Sequence, residues 1–240
     1  MCNEAQIQCQ LQSIMKYFIT GCDSNTEWQL PWFIENFRKH TKYKIFVADF
    51  GMTKEMRAKA CVLSDSVIDT KEGKGWFSKV LVLDRLKVTH GLDHSYCWLD
   101  TDCEVRSDPA SIFNYVEDNK LSLVVDHPWT KYGSPWTPQG DCGPWYNTGV
   151  IAFKGHPQIL DRWVTEVTRG TKHRGDQEAL YFLLNQSPMN RAIYISEVPH
   201  RYNVLRLDIE SDRCPPHPAV IVHWTGQKGN EMIKEQMRDK

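Results

Sequence analysis

No stretch of the 240 residues stays apolar for the length that a membrane-spanning helix needs. The opening residues, Met1-Cys2-Asn3-Glu4-Ala5-Gln6, carry neither a basic flank nor an apolar centre, so they do not read as a secretory signal. A cytoplasmic location is the expectation, provided the chain is not a piece of a longer anchored protein. Positive charge is not in excess. The 29 Lys and Arg face 30 Asp and Glu, and a net charge of −1 leaves no basic footprint for nucleic acid. The eight cysteines form no Cys-x-x-Cys pair, so free thiols are expected rather than zinc ligands or a disulfide framework. There is no internal repeat, no low-complexity tract and no clean linker. One domain over 1–240 is the simplest organisation, with 1–15 as a lead-in and 229–240 as a polar, helical tail.

What is present is an alternation of short apolar strands and amphipathic helices. Lys16–Thr20, Tyr43–Asp49, Ser66–Asp69, Tyr96–Leu99, Leu121–Asp126, Tyr146–Phe153, Ala192–Ile195 and Ala219–Val222 read as strands. Helical spacing places Trp28, Trp32, Phe33 and Phe37 on one stripe, Val80, Leu83 and Leu86 on another, and Ile159, Leu160, Trp163, Val164 and Val167 on a third. Ser107-Asp108-Pro109 is an N-cap followed by Pro at the first helical position, and Gly175-Asp176-Gln177-Glu178 opens a helix with its acids near the positive end of the dipole. Strands alternating with helices predict an α/β fold with a mixed, mainly parallel sheet. Several of the nine tryptophans, including Trp136 and Trp145, lie in the Pro- and Gly-rich segment 127–145, a loop long enough to suggest a binding role.

The segment Trp98-Leu99-Asp100-Thr101-Asp102 carries the strongest chemical signal. An apolar run delivers two carboxylates one residue apart, and in an extended chain residues i and i+2 share a face. Hard oxygen ligands at the end of a strand suit Mg²⁺ or Mn²⁺ bound to phosphate, in the place where open α/β sheets hold ligands. Taken alone, such a pair also reads as a turn or a helix cap.

An opening strand, Asp100-Thr101-Asp102, Asn147-Thr148-Gly149, Asp176-Gln177-Glu178 and His223-Trp224-Thr225-Gly226-Gln227-Lys228 occur in that order. The chain thereby resembles the GT-A glycosyltransferases over about Lys16 to Lys228, and most closely the retaining transferases of glycosyltransferase family 8. The resemblance implies a nucleotide-diphosphate sugar donor, UDP-linked, a glycan acceptor, and Mn²⁺ (or Mg²⁺) held by Asp100, Asp102 and His223. It places Asp23, Lys79, Asp100, Thr101, Asn147, Gly226 and Lys228 on the donor. Asp176 and Gln177 fall beside the anomeric carbon as the catalytic pair. Asp126, Trp136 and Trp145 are the candidates for the acceptor, the tryptophans because apolar sugar faces pack on aromatic rings. Where the family motif continues Lys-Pro-Trp, this chain has Lys228-Gly229-Asn230. Three rivals stand beside this reading. One is an inverting GT-A transferase, with Asp126 or Asp176 as general base. A nucleotidyltransferase is disfavoured because Gly21-Cys22-Asp23-Ser24 is not a glycine-rich basic loop. A non-catalytic sugar-binding module has no need of Asp100, Asp102 and His223 together.

Overall fold

The computed structural model describes residues 15–70, 75, 77–90, 94–126, 143–169, 173–212, 214–215 and 217–239. The chain begins with β1 (Lys16–Cys22), a 3₁₀ turn (Glu27–Gln29) and α1 (Leu30–His40). It continues through β2 (Lys44–Asp49), α2 (Lys54–Leu63), β3 (Ser66–Asp69), α3 (Phe77–His90) and β4 (Ser95–Leu99). β5 (Cys103–Val105) and a 3₁₀ stretch (Pro109–Tyr115) lead to β6 (Leu121–Val125). Then come β7 (Tyr146–Lys154), α4 (Gln158–Thr168), α5 (Asp176–Asn185), α6 (Met189–Tyr194) and β8 (Ile195–Glu197). A further 3₁₀ turn (His200–Tyr202), β9 (Val204–Leu205), α7 (Arg206–Glu210), β10 (Ile221–His223) and α8 (Gly226–Arg238) complete it.

Seven strands form one sheet in the order β3-β2-β1-β4-β7-β6-β8, and only β7 runs against the rest. Central strands of such a sheet are covered on both faces and so read as continuous apolar runs. β1 shows how: Phe18 and Cys22 enter one core with α1, while Tyr17 and Ile19 enter the other with α3 and α4. A second sheet, β5-β10-β9, lies beside the first and brings the last strand next to the segment that follows β4. The C-terminal ends of β1, β4 and β6 and the N-terminal end of the antiparallel β7 therefore share one edge. Among the described residues no helix is long and apolar enough to cross a membrane.

Two local expectations are corrected. Ala192–Tyr194 belongs to α6, not to a strand: Pro188 precedes the helix and Asn190 ties it to α5 through the Leu183 carbonyl (2.7 Å), so the strand starts only at Ile195. The helix expected after Asp108 is 3₁₀, although Asp108 does cap it by accepting from the Ala110 N–H at 3.0 Å. The C-terminal tail is helical as expected, and its helix α8 starts at Gly226. α8 docks on the first helix region, with Gln29 donating to Asn230 (2.8 Å), Trp32 donating to Gln236 (3.2 Å) and Ile233 fully buried.

Candidate active site

Asp100, Thr101 and Asp102 form a turn between β4 and β5, closed by the Cys103 N–H donating to the Asp100 carbonyl at 3.0 Å. The two carboxylates converge because the chain reverses there, rather than by the alternation of a strand. The antiparallel pairing of β10 with β5 sets His223 opposite Cys103. His223 Nε2 then lies 3.1 Å from Asp102 Oδ1 and 4.0 Å from Asp100 Oδ2. Burial pushes the imidazole toward the neutral form, but the Asp102 and Asp100 carboxylates outweigh it and raise its pKa. Adjacent ligands held about 2.1 Å from an octahedral ion lie about 3 Å apart, so this oxygen and nitrogen fit two neighbouring positions of one small divalent cation. Cys103 Sγ lies close to the same atoms, but burial holds the thiol well above its usual pKa. The set is thus carboxylate and imidazole, which suits Mg²⁺ or Mn²⁺.

Behind the acids sits Lys79 in the first turn of α3, almost fully buried. Its Nζ lies 3.1 Å from Asp100 Oδ1, 3.1 Å from Asp176 Oδ2 and 2.9 Å from the Thr148 carbonyl. Burial works against the ammonium, and the carboxylates of Asp100 and Asp176 overcome it, so its pKa is raised. Asp176 is the first residue of α5, yet its side chain does not cap the helix, because Gly175 occupies the N-cap. The carboxylate turns inward to Lys79. The Trp98 indole N–H donates to the same Asp100 oxygen, Oδ1, at 2.6 Å.

Asn147-Thr148-Gly149, at the start of β7, joins these parts. The Gly149 carbonyl accepts from the Asp100 N–H at 2.9 Å. The Thr148 N–H donates to Gln177 Oε1 at 3.3 Å while its carbonyl takes Lys79. Gln177 Nε2 donates in turn to Asp126 Oδ2 at 3.1 Å. Asp126 is buried at the end of β6, and desolvation lifts its carboxyl to about 7 despite the hydrogen bond from Gln177 and the charge of His223. Asn147 is buried, with Oδ1 taken by the Gly149 N–H (2.9 Å) and by Asn203 Nδ2 (2.8 Å).

The remaining expected residues divide. Gly226 has φ +74° and opens α8 with free space where a side chain would project, and Lys228 is exposed in the same first turn. Asp23 lies just past β1. Its carboxylate accepts from the backbone and side chain of both Asn25 and Thr26 at 2.9–3.2 Å, and these bonds lower its pKa against a raising effect of burial. Thr101 is buried and its hydroxyl donates to Gln29 at 2.7 Å. Trp145 is 6% exposed and packs on Tyr181 with ring centroids 4.6 Å apart, so its ring serves the core. Trp136 lies outside the described residues. Sequence reasoning missed Asn203, which is 1% exposed and bridges Asn147 and His223. The only sequence signal was a polar residue beside the short apolar run Val204-Leu205.

No family model and no curated protein matches the chain by sequence. Solved structures do match it, and they define the class: the mixed α/β fold of GT-A glycosyltransferases. The galactosyltransferase LgtC, determined with donor and acceptor sugar analogues, aligns over 93% of this chain and 95% of its own, with a TM-score of 0.59 and 16% identity. The bifunctional glycosyltransferase WbbM aligns over 90% of this chain (TM-score 0.62, 13% identity). The glycosyltransferase GlyE of Streptococcus pneumoniae aligns over 88% (TM-score 0.62, 17% identity). The chain spans 47% of WbbM and 55% of GlyE, about half the length of each.

Proposed function

We propose that this protein is a metal-dependent glycosyltransferase. It moves a hexosyl group from a UDP-sugar, or another nucleotide-diphosphate sugar, to a sugar-containing acceptor with retention of anomeric configuration. The observation that carries this reading is the meeting of Asp102 and His223 at 3.1 Å beside Asp100, with the Lys79–Asp176 ion pair and the Gln177–Asp126 pair hung on the same Asn-Thr-Gly segment. Asp100, Asp102 and His223 would hold Mn²⁺ or Mg²⁺. When bound, such an ion acts as a Lewis acid toward the diphosphate leaving group. Lys228 and the first turn of α8 neutralise phosphate charge, as helix N-termini do. Lys79 holds Asp176 in place through their ion pair, which suits a carboxylate stabilising positive charge at the anomeric carbon. The Gln177 amide is fixed between Thr148 and Asp126, so it acts through a set orientation. Asp126 faces the acceptor hydroxyl.

A second reading, an inverting transferase, is favoured by one observation: a carboxyl at about 7 suits Asp126 as a general base at neutral pH. Hydrolysis of a panel of nucleotide-sugars with Mn²⁺ tests the donor without knowledge of the acceptor. We expect one donor to be hydrolysed with Mn²⁺ and not in EDTA, and a product retaining the donor configuration by NMR. Full turnover in EDTA removes the metal from the proposal. An inverted product transfers the chemistry to Asp126, and nucleotide binding without any turnover leaves a sugar-nucleotide-binding module.

A further inference from the structure

We propose that Asn203 is a positioning residue that holds a proton on Nδ1 of His223 and so reserves Nε2 for the metal, through a chain of hydrogen bonds whose direction is set by one backbone amide. The Gly149 N–H can only donate, and it points at the Asn147 side chain from 2.9 Å. The Asn147 atom facing it is therefore the carbonyl oxygen. That same oxygen lies 2.8 Å from the Asn203 side chain, so Asn203 must present its NH₂ group there. The Asn203 oxygen is thereby turned to His223 Nδ1, 3.1 Å away, and as a pure acceptor it requires a proton on Nδ1. Nε2 faces the Asp102 carboxylate at 3.1 Å, which also only accepts, so without a metal the ring meets an acceptor on each side. A cation held by Asp102 would take the place of the Nε2 proton alone, leaving the lone pair on Nε2 and the proton on Nδ1. Each amide orientation follows from the one before it.

Metal-binding histidines commonly have their second nitrogen held by a hydrogen-bond acceptor, which sets both tautomer and ring angle. Here the acceptor is an amide. It is placed by the parallel pairing of β9 with β10, which sets Val204 beside Val222 and Leu205 beside His223. Burial of Asn203 and Asn147 keeps water from offering the ring an alternative partner. Asn147, taken from sequence as a donor contact, thus also passes the polarity of the Gly149 amide on to Asn203. The Nδ1 proton follows from protein geometry alone, and its consequence for metal affinity rests on the function proposed above.

Two measurements test the inference. Long-range ¹H–¹⁵N NMR of the protein with labelled histidine, without metal and with diamagnetic Mg²⁺, reports which ring nitrogens carry protons. We expect a proton on His223 Nδ1 in both states and a bare Nε2 only with Mg²⁺, and an Nδ1 without a proton overturns the inference. Second, Mn²⁺ binding followed by EPR is compared between the wild type and Asn203→Ala. For variant protein whose circular dichroism remains native, affinity should fall about 10–100-fold, the range for loss of such a partner. Equal affinity in both proteins overturns the positioning role. Should the wild type bind no Mn²⁺, the metal reading of the site fails, and the metal-free NMR result still decides whether Nδ1 carries the proton.

Discussion

The ring of His223 occupies the space that a side chain at Gly149 would need. A β-carbon built there would lie 2.1 Å from His223 Cε1 and 2.5 Å from its Nδ1. The glycine of Asn-Thr-Gly is therefore a steric requirement of the histidine, not of its own backbone conformation. Gly149→Ala should push the imidazole away from Asp102. We expect Mn²⁺ affinity and turnover to fall together, with a loss of stability of about 1–3 kcal/mol, as for other overpacked sites. Binding by EPR and thermal melting check this, and unchanged Mn²⁺ affinity would mean that the ring has room to adapt.

Lys79 gives a sharper test because its charge is buried among acids. Removing one partner of a buried ion pair strands the other and costs about 3–5 kcal/mol. Lys79→Met should destabilise the protein by that order and abolish turnover, since Asp100 and Asp176 would lose their common cation. Adding Asp176→Asn to Lys79→Met should recover much of the stability, because the uncompensated carboxylate is gone, and should not recover turnover. Urea denaturation of the single and double variants separates the two effects.

The carboxyl of Asp126 predicts a pH dependence of stability. Its pKa rises from 3.8 to about 7 in the folded chain, chiefly by desolvation. Between those values the folded state binds more protons than the unfolded state, so stability must fall as pH rises from about 4 to about 7. A displacement of that size corresponds to roughly 4 kcal/mol as an upper figure. Asp126→Asn should flatten this part of the profile and raise the melting temperature at pH 8, while lowering turnover. An unchanged slope in denaturant titrations across that range would show that Asp126 is solvated.

Lys228 is exposed in the first turn of α8, where no buried partner among the described residues depends on it. Lys228→Ala should leave the melting temperature unchanged and weaken binding of a nucleoside diphosphate. A charge-assisted contact of about 1.5–3 kcal/mol corresponds to roughly one to two orders of magnitude in dissociation constant. Calorimetry with UDP and Mn²⁺ measures it, and an unchanged constant would place the phosphates beyond the reach of this helix.

Much of the architecture was legible because it is written in local periodicity. Phe18, Ile45, Leu99 and Val150 lie in unbroken apolar runs, as strands covered on both faces require. Trp163 and Leu160 recur at helical spacing and both are fully buried. Ser66–Asp69 is bounded as expected, and the acidic opening of α5 falls at Asp176. Failures came where a neighbour distant in sequence decided the matter. Ala192–Tyr194 is apolar enough for a strand, yet Asn190 bonds it into a helix against α5. The Gly and Pro around Trp145 suggested a ring free to meet a sugar, but Tyr181 buries it.

By itself the sequence determined which residue types are available at the ends of which strands: two carboxylates after β4, an amide and a glycine at the start of β7, an acid and an amide at the head of α5, a histidine at the end of β10. Those placements follow from backbone period and from turn and cap chemistry, which act over a few residues. Only the tertiary structure decided that they face one another. The antiparallel insertion of β7 brings Thr148 between Lys79 and Gln177, 69 and 29 positions away in the chain. The two-residue strand β9, too short to leave a periodic trace, sets Asn203 against His223. Hydrogen bonds of this kind depend on the register between strands far apart in sequence, and register is settled by packing across the whole sheet.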